Sequence, residues 1–255
     1  MAKKGLVSTA ETPDTVQVRD SFETPRYAVD LIIPFIPKDI NFIWECASGN
    51  GRIQNPLCKA GYEVYPSDIR PLQPDTAQLN FLTSDLSTTL VDALTNYKCA
   101  IITNPPFSIK KQFIEKALSL EIPFAMLINA DYSGEQIGWI QRGCEKIIPN
   151  RRINYLTPNI LRRIHEGEVW NIVGKNYPFH SSIEDLRLTA TDEYDRVMKD
   201  GERFHYTTIE EVPQALLHKY SSSQFHSMWL THGFNMGQTE TFVNLPIKQI
   251  KENII

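Results

Sequence analysis

Four short apolar runs alternate with segments of helical spacing between residues 41 and 128, and this alternation constrains the chain more than any other feature. The first run, residues 41–44, breaks into Glu45-Cys-Ala-Ser-Gly-Asn-Gly51, a small-residue turn from which a helix starts near Ile53. The second, 61–65, closes at Ser67-Asp68. The third, 99–103, stops at Asn104-Pro-Pro106, after which Phe113, Ile114, Ala117 and Leu118 mark one face of a helix over 109–120. The fourth is 123–128. Apolar runs of this length read as buried strands, and strands separated by helices imply a parallel sheet with helices on both faces. Upstream, Pro25 suits the first turn of a helix capped by Thr24, with Tyr27, Leu31 and Ile32 as its apolar face. Pro34 and Pro37 end that helix.

The ends of the chain are less regular. Residues 1–20 are polar with no apolar period and read as a flexible N-terminal arm. Beyond residue 141 the regularity weakens, and apolar residues return near 225–232, where the chain is expected to rejoin the sheet. The domain organisation expected is one domain over 21–255, with 159–223 as an insertion or lid. With 255 residues and 42% hydrophobic content, the chain is long enough to bury a core, which excludes a disordered chain, a fibre and a disulfide-stapled miniprotein. No apolar stretch approaches the ~20 residues of a membrane span, and no apolar signal region follows the basic start, so a cytoplasmic protein is expected. Cys46, Cys58, Cys99 and Cys144 form no CxxC pair and have no His at ligand spacing, so free thiols and no metal are expected.

Two motifs carry chemistry. Ligands of open parallel sheets bind at the carboxyl ends of strands, where glycines let the backbone approach closely. The turn 45–51 has Gly49 and Gly51 at such a place, and Asp68 closes the next strand seventeen residues later, near the spacing of a carboxylate that holds a ribose. The turn is not GxGxxG and lacks the Lys-Ser/Thr of a phosphate loop, so it suits a nucleoside ligand with no pyrophosphate. The plainer alternative is a tight strand–helix turn. In Asn104-Pro-Pro-Phe107 the prolines have fixed φ and donate no backbone hydrogen bond. That turn holds the Asn104 amide and the Pro105 carbonyl as rigid acceptors at the sheet edge, where they can orient a planar exocyclic amine, while Phe107 offers a stacking face. Here the alternative is a Pro-Pro strand terminator.

Together these residues resemble the Rossmann-like S-adenosylmethionine-dependent methyltransferases, especially those that methylate exocyclic amino groups of adenine in nucleic acids. The likeness covers roughly residues 20–160. Phe22-Glu-Thr-Pro25, followed by Ala28-Val29, is similar to the family's cofactor-carboxylate motif, which gives Thr24 that carboxylate. Residues 45–51, with Glu45, Ala47, Gly49 and Gly51, resemble the methionine-binding motif, and Asp68 the ribose-binding acid. Asn80-Phe81-Leu82 stands where the family often has Asp-Phe-Leu, so Asn80, or else Asp85, would contact the cofactor's adenine, with Phe81 beside it. Asn104, Pro105, Pro106 and Phe107 resemble the catalytic motif. The motif order matches the family's gamma-type arrangement, and the 52 residues between Gly51 and Asn104 are too few for a recognition domain as well as the intervening βα units. The resemblance implies a mostly parallel Rossmann-like sheet with helices on both faces, S-adenosylmethionine as cofactor, and N6-methylation of adenine in DNA.

The acceptor leaves other readings open: an RNA base amino group, a protein glutamine amide, or a non-catalytic copy of the fold that binds nucleic acid or a partner subunit. Ser108 after Phe107 counts against guanine-modifying RNA enzymes, and Phe107 in place of Tyr counts against glutamine enzymes. The net charge of −4 argues by itself against a polyanionic partner. It averages a basic segment, 142–163 at +5, with an acidic one, 184–211 at −5. The basic segment, with Arg151, Arg152, Arg162 and Arg163, is the expected phosphate-binding surface, helped by Lys110 and Lys111. His226 and His232 are read as satisfying local hydrogen bonds. Trp44, Trp139 and Trp229 are read as core or rim, with Trp170 the candidate exception.

Overall fold

In the computed structural model the described residues are 22–83, 98–155 and 225–252, with a two-strand pairing at 171–172 and 175–176. The arm 1–20, Asp85, Arg162, Arg163, Trp170 and the acidic segment 184–211 lie outside them, as does most of 159–223.

The elements, in chain order, are α1 (Arg26–Asp30), β1 (Phe42–Glu45), α2 (Gln54–Lys59), β2 (Glu63–Asp68), β3 (Ala77–Gln78), β4 (Cys99–Thr103), α3 (Lys110–Ser119), β5 (Phe124–Asn129), α4 (Gly134–Gln141) and β6 (Cys144–Pro149). They continue with β7 (Asn171–Ile172), β8 (Lys175–Asn176), β9 (Ser227–His232), β10 (Glu240–Val243) and α5 (Ile247–Glu252). Eight strands form one sheet in the order β3-β2-β1-β4-β5-β9-β6-β10, while β7 and β8 pair with each other. Five of its seven pairings are parallel. β9 is antiparallel to both neighbours and fills the gap between β5 and β6, so residues 225–232 do rejoin the sheet.

The expected strands fall where the apolar runs predicted them, and the reason is burial on both faces. Every residue of β4 is buried, as is every residue of β1. Alternate side chains point to opposite faces. Ile43, Ala100, Ile102, Ala125, Leu127 and Trp229 pack on one side with Tyr27 and Val29 of α1 and Leu57 of α2. Phe42, Trp44, Ile101, Phe124, Met126 and Leu230 pack on the other with Phe113, Ile114 and Ala117 of α3 and Trp139 of α4. Helices therefore cover both faces. The buried indoles find acceptors: Trp44 Nε1 donates to Ser67 Oγ at 2.8 Å, and Trp229 Nε1 to the Ala28 carbonyl at 2.8 Å, which ties α1 to β9.

Two local expectations need correction. The residue at the N-cap of α1 is Pro25, with no side-chain cap, and Thr24 is buried instead. Regular structure does not end at residue 141, because Cys144–Pro149 is strand β6. Glu145 and Lys146 interrupt its apolar period, yet Lys146 is buried, with its ammonium 3.4 Å from Glu240 Oε1 on β10 and over the Tyr132 ring. Among the described residues no helix is long and apolar enough to cross a membrane.

Candidate functional site

The chain runs from β1 outward to β2 and β3, then returns to β4 on the other side of β1. The carboxyl ends of β1 and β4 thus flank the point where strand order reverses, the place where open α/β sheets bind ligands. The two motifs singled out in the sequence follow β1 and β4, and so meet at that point.

Glu45 ends β1, and the loop after it is held by its own backbone. The Ser48 N–H donates to the Ser67 carbonyl at 3.0 Å and the Gly51 N–H to the Ser48 carbonyl at 2.8 Å. Gly49 and Gly51 have φ of +50° and +72°, a region costly for residues with a Cβ. A Cβ on Gly49 would meet nothing within 4 Å, so the space beside the loop is open. Asp68, at the end of β2, accepts the Gly49 N–H on Oδ2 at 3.0 Å and the Arg70 N–H on Oδ1 at 2.8 Å. The glycine loop and the candidate ribose acid are therefore joined directly. Glu45 is 1% exposed; burial pushes its carboxyl well above the usual range, the Gln54 backbone N–H opposes that rise, and the nearby Asp68 charge adds to it. Its Oε2 has no hydrogen-bond partner among the described residues.

Asn104 follows β4. Its Nδ2 donates to the Phe22 carbonyl at 3.0 Å. A carbonyl can only accept, so that contact fixes which way the carboxamide faces. The opposite atom, Asn104 Oδ1, is buried and has no partner among the described residues. Pro105 is buried, and the Pro106 carbonyl accepts the Ile109 N–H at 3.1 Å to start the turn into α3. Phe107 meets three other rings edge-on: Phe22 at 5.2 Å, Phe225 at 5.1 Å and Tyr155 at 5.8 Å between centroids. Burial raises the Tyr155 hydroxyl above its ordinary pKa, and it donates to Ser227 Oγ at 2.9 Å.

Sequence reading missed the residues that join these parts. Glu23 accepts from Asn50 Nδ2 and, at 2.9 Å, from Arg52 Nε, so residues 22 and 23 bridge the Asn-Pro-Pro-Phe turn to the glycine loop. Glu23 lies inside Phe22-Glu-Thr-Pro25, and that motif was its only signal. Phe22 shares that signal, whereas Tyr155 and Phe225 carried none, because their meeting depends on β9 returning beside β5.

The other candidates are placed as follows. Thr24 is buried beside Glu23, and Ala47 lies in the glycine loop. Asn80 Oδ1 accepts the Leu82 N–H at 3.0 Å in a local turn. Phe81 is a core residue: it is 3% exposed, edge-on to Trp44 at 5.2 Å and stacked on Phe113 at 4.9 Å. Its ring is consumed by packing, so we leave it out of the site. Arg151 and Arg152 are exposed just past β6, which runs parallel to β4 and β5, so they share the carboxyl edge with Asn104. Lys110 opens α3, and Lys111 pairs with Glu135 at 2.7 Å. The basic segment is not uniformly available: Arg142 pairs with Glu115 at 2.7 Å and Lys146 is buried. His226 Nε2 lies 2.6 Å from the Pro149 carbonyl and so carries its proton, a local hydrogen bond as expected.

Fold and site thus define an α/β protein whose two motifs meet at the carboxyl edge of a mostly parallel sheet. No protein-family model matches the chain, and no curated protein matches it.

Proposed function

We propose that the protein transfers a methyl group from S-adenosylmethionine to the exocyclic amino nitrogen of adenine in DNA. The observation that carries this reading is Asn104: an amide oriented by Phe22, with its carbonyl oxygen buried and unpartnered at the end of β4. Leaving a buried acceptor unmade costs about 1–3 kcal/mol, so its persistence points to a ligand that brings the missing donor.

The residues fit the cofactor. The open space over Gly49, the Asp68 carboxylate and the unpartnered Glu45 Oε2 suit a nucleoside with hydroxyl and ammonium donors, held by Thr24, Glu45, Ala47, Gly49, Gly51 and Asp68. S-adenosylmethionine, when bound, supplies a methyl already activated on a sulfonium. The chain's own task is then placement and electrostatics rather than strong-base chemistry. Asn104 Oδ1 and the Pro105 carbonyl accept the hydrogens of the amine, hold its lone pair in line and stabilise the positive charge that develops on nitrogen. Phe107 and its aromatic neighbours seat the flat base, which in duplex DNA must first leave the stack. Arg151 and Arg152, on the same edge, are suited to the phosphate backbone.

The test is methyl transfer by the purified chain from labelled S-adenosylmethionine to DNA and to RNA, followed by nucleoside mass spectrometry. N6-methyladenine in DNA is the expected product. Label in RNA alone, in protein, or nowhere refutes the reading.

A further inference from the structure

Away from the glycine loop, the carboxyl edge of the sheet holds a cavity of about 350 Å³, bounded by the loop after β5, the ends of β6 and β9, and the edge strand β10. Its rim carries two aromatic side chains of the kind proteins usually bury: Tyr132 is 70% exposed and Phe242 is 71% exposed. Ala130, Ile148, Pro149 and Met228 add apolar lining. Lys146 also lines it, itself buried, with three groups around its ammonium. Glu240 Oε1 at 3.4 Å and the Asp131 carbonyl at 3.5 Å both stand at the far limit of hydrogen bonding, and the Tyr132 centroid is 4.2 Å away.

The chemistry of the lining selects among occupants. A free anion is disfavoured, because the Lys146 ammonium already faces Glu240 and the lining itself carries the Asp131 carboxylate. An acyl chain would strip water from the half-buried Asp131 and return no hydrogen bonds. A flat, uncharged heterocycle with donors and acceptors on its rim meets both demands, since its faces stack on Tyr132 and Phe242 and its edge pairs with the polar groups. The volume is at the low end for ligand sites, which suits one base rather than a large cofactor. Position adds to this. Neighbouring strands lie about 4.8 Å apart, so the ends of β5 and β6 stand roughly 5 and 14 Å from that of β4, which carries Asn104. The lining residue Asn150 is followed at once by the exposed Arg151 and Arg152.

We infer that this cavity is a second base-binding subsite, seating an unpaired nucleobase of the strand that presents the target adenine, with Tyr132 and Phe242 as its stacking walls. Arg151 and Arg152 then hold the phosphates between the two seats. The inference rests on the proposed nucleic-acid substrate and adds to it a reason for preferring unpaired flanking sequence.

Fluorescence anisotropy with a labelled single-stranded oligodeoxynucleotide of about twelve nucleotides tests it. Phe242→Ala is expected to loosen binding tenfold or more, with unchanged S-adenosylmethionine affinity and an unchanged salt slope. On an abasic strand of the same length, wild type and variant should bind alike. Tyr132→Ala, whose melting temperature is recorded because the ring also meets Lys146, should repeat the result from the second wall. Equal binding of wild type and Phe242→Ala to the base-containing strand overturns the subsite, as does an equal loss on the abasic strand. If that happens while the wild type still transfers methyl groups, the methyltransferase reading stands. If the wild type binds no S-adenosylmethionine but shows the base-dependent loss, the methyltransferase reading falls and the subsite stands.

Discussion

Replacing Asn104 by alanine should move stability and activity by very different amounts. Among the described residues the side chain makes one hydrogen bond, Nδ2 to the Phe22 carbonyl at 3.0 Å, and its Oδ1 is buried without a partner. The hydrogen bond removed is worth about 0.5–1.5 kcal/mol, while removing an unsatisfied buried acceptor returns about 1–3 kcal/mol. The two largely cancel, so urea denaturation should place Asn104→Ala within about 1 kcal/mol of wild type, with an unchanged m-value. For activity nothing cancels. Loss of one oriented group that stabilises developing charge costs about 10²–10³ in rate, or about 2.7–4 kcal/mol. Calorimetry should show S-adenosylmethionine affinity nearly intact, and a tritium-methyl assay should show transfer reduced at least a hundredfold. A stability loss beyond about 3 kcal/mol would make Asn104 a structural residue, and transfer at the wild-type rate would end its catalytic assignment.

Asp68→Ala removes the acceptor for both the Gly49 and Arg70 N–H groups, and calorimetry should find S-adenosylmethionine affinity at least tenfold weaker; an unaltered affinity takes Asp68 out of the site. Glu45 makes a pH prediction. Burial holds its folded carboxyl well above the usual range, so the folded state keeps a proton that the unfolded chain releases above about pH 4.3. Its contribution to stability therefore falls as pH rises from there toward the raised folded value. Denaturant melts at pH 5 and pH 8 should show Glu45→Gln losing less stability than wild type over that interval; parallel losses would contradict the buried, protonated state. Charge reversal at Arg151 and Arg152 should flatten the salt dependence of DNA binding, by about 0.9 in log–log slope for each duplex phosphate no longer neutralised, and an unchanged slope would reject them as phosphate ligands.

Much of this arrangement is legible before folding because it is written in backbone restrictions. Pro105 and Pro106 cannot continue a ladder, Gly49 and Gly51 adopt positive φ, and residues 99–103 have no polar face to present to water. Those limits act within a few residues, and the strands, the turns and the placing of Asp68 at a strand end follow from them. Lys146 shows where local reading stops. In sequence it belongs to a basic segment, yet Glu240, ninety-four residues away, and the Tyr132 ring accept its charge in the sheet interior. Phe81 likewise reads as a motif residue, and Trp44 and Phe113 claim its ring.

By itself the sequence determined an α/β chain with a glycine loop, an acid and an Asn-Pro-Pro turn at successive strand ends, because local sterics and burial periodicity decide such things. Only the tertiary structure decided that β9 returns antiparallel between β5 and β6, and that this gathers Tyr155 and Phe225 around Phe107. It also decided that the Phe22 carbonyl turns the Asn104 amide so that its oxygen is left without a partner among the described residues. Those pairings join residues up to roughly a hundred and twenty positions apart, and their geometry depends on strand order, which no local period records.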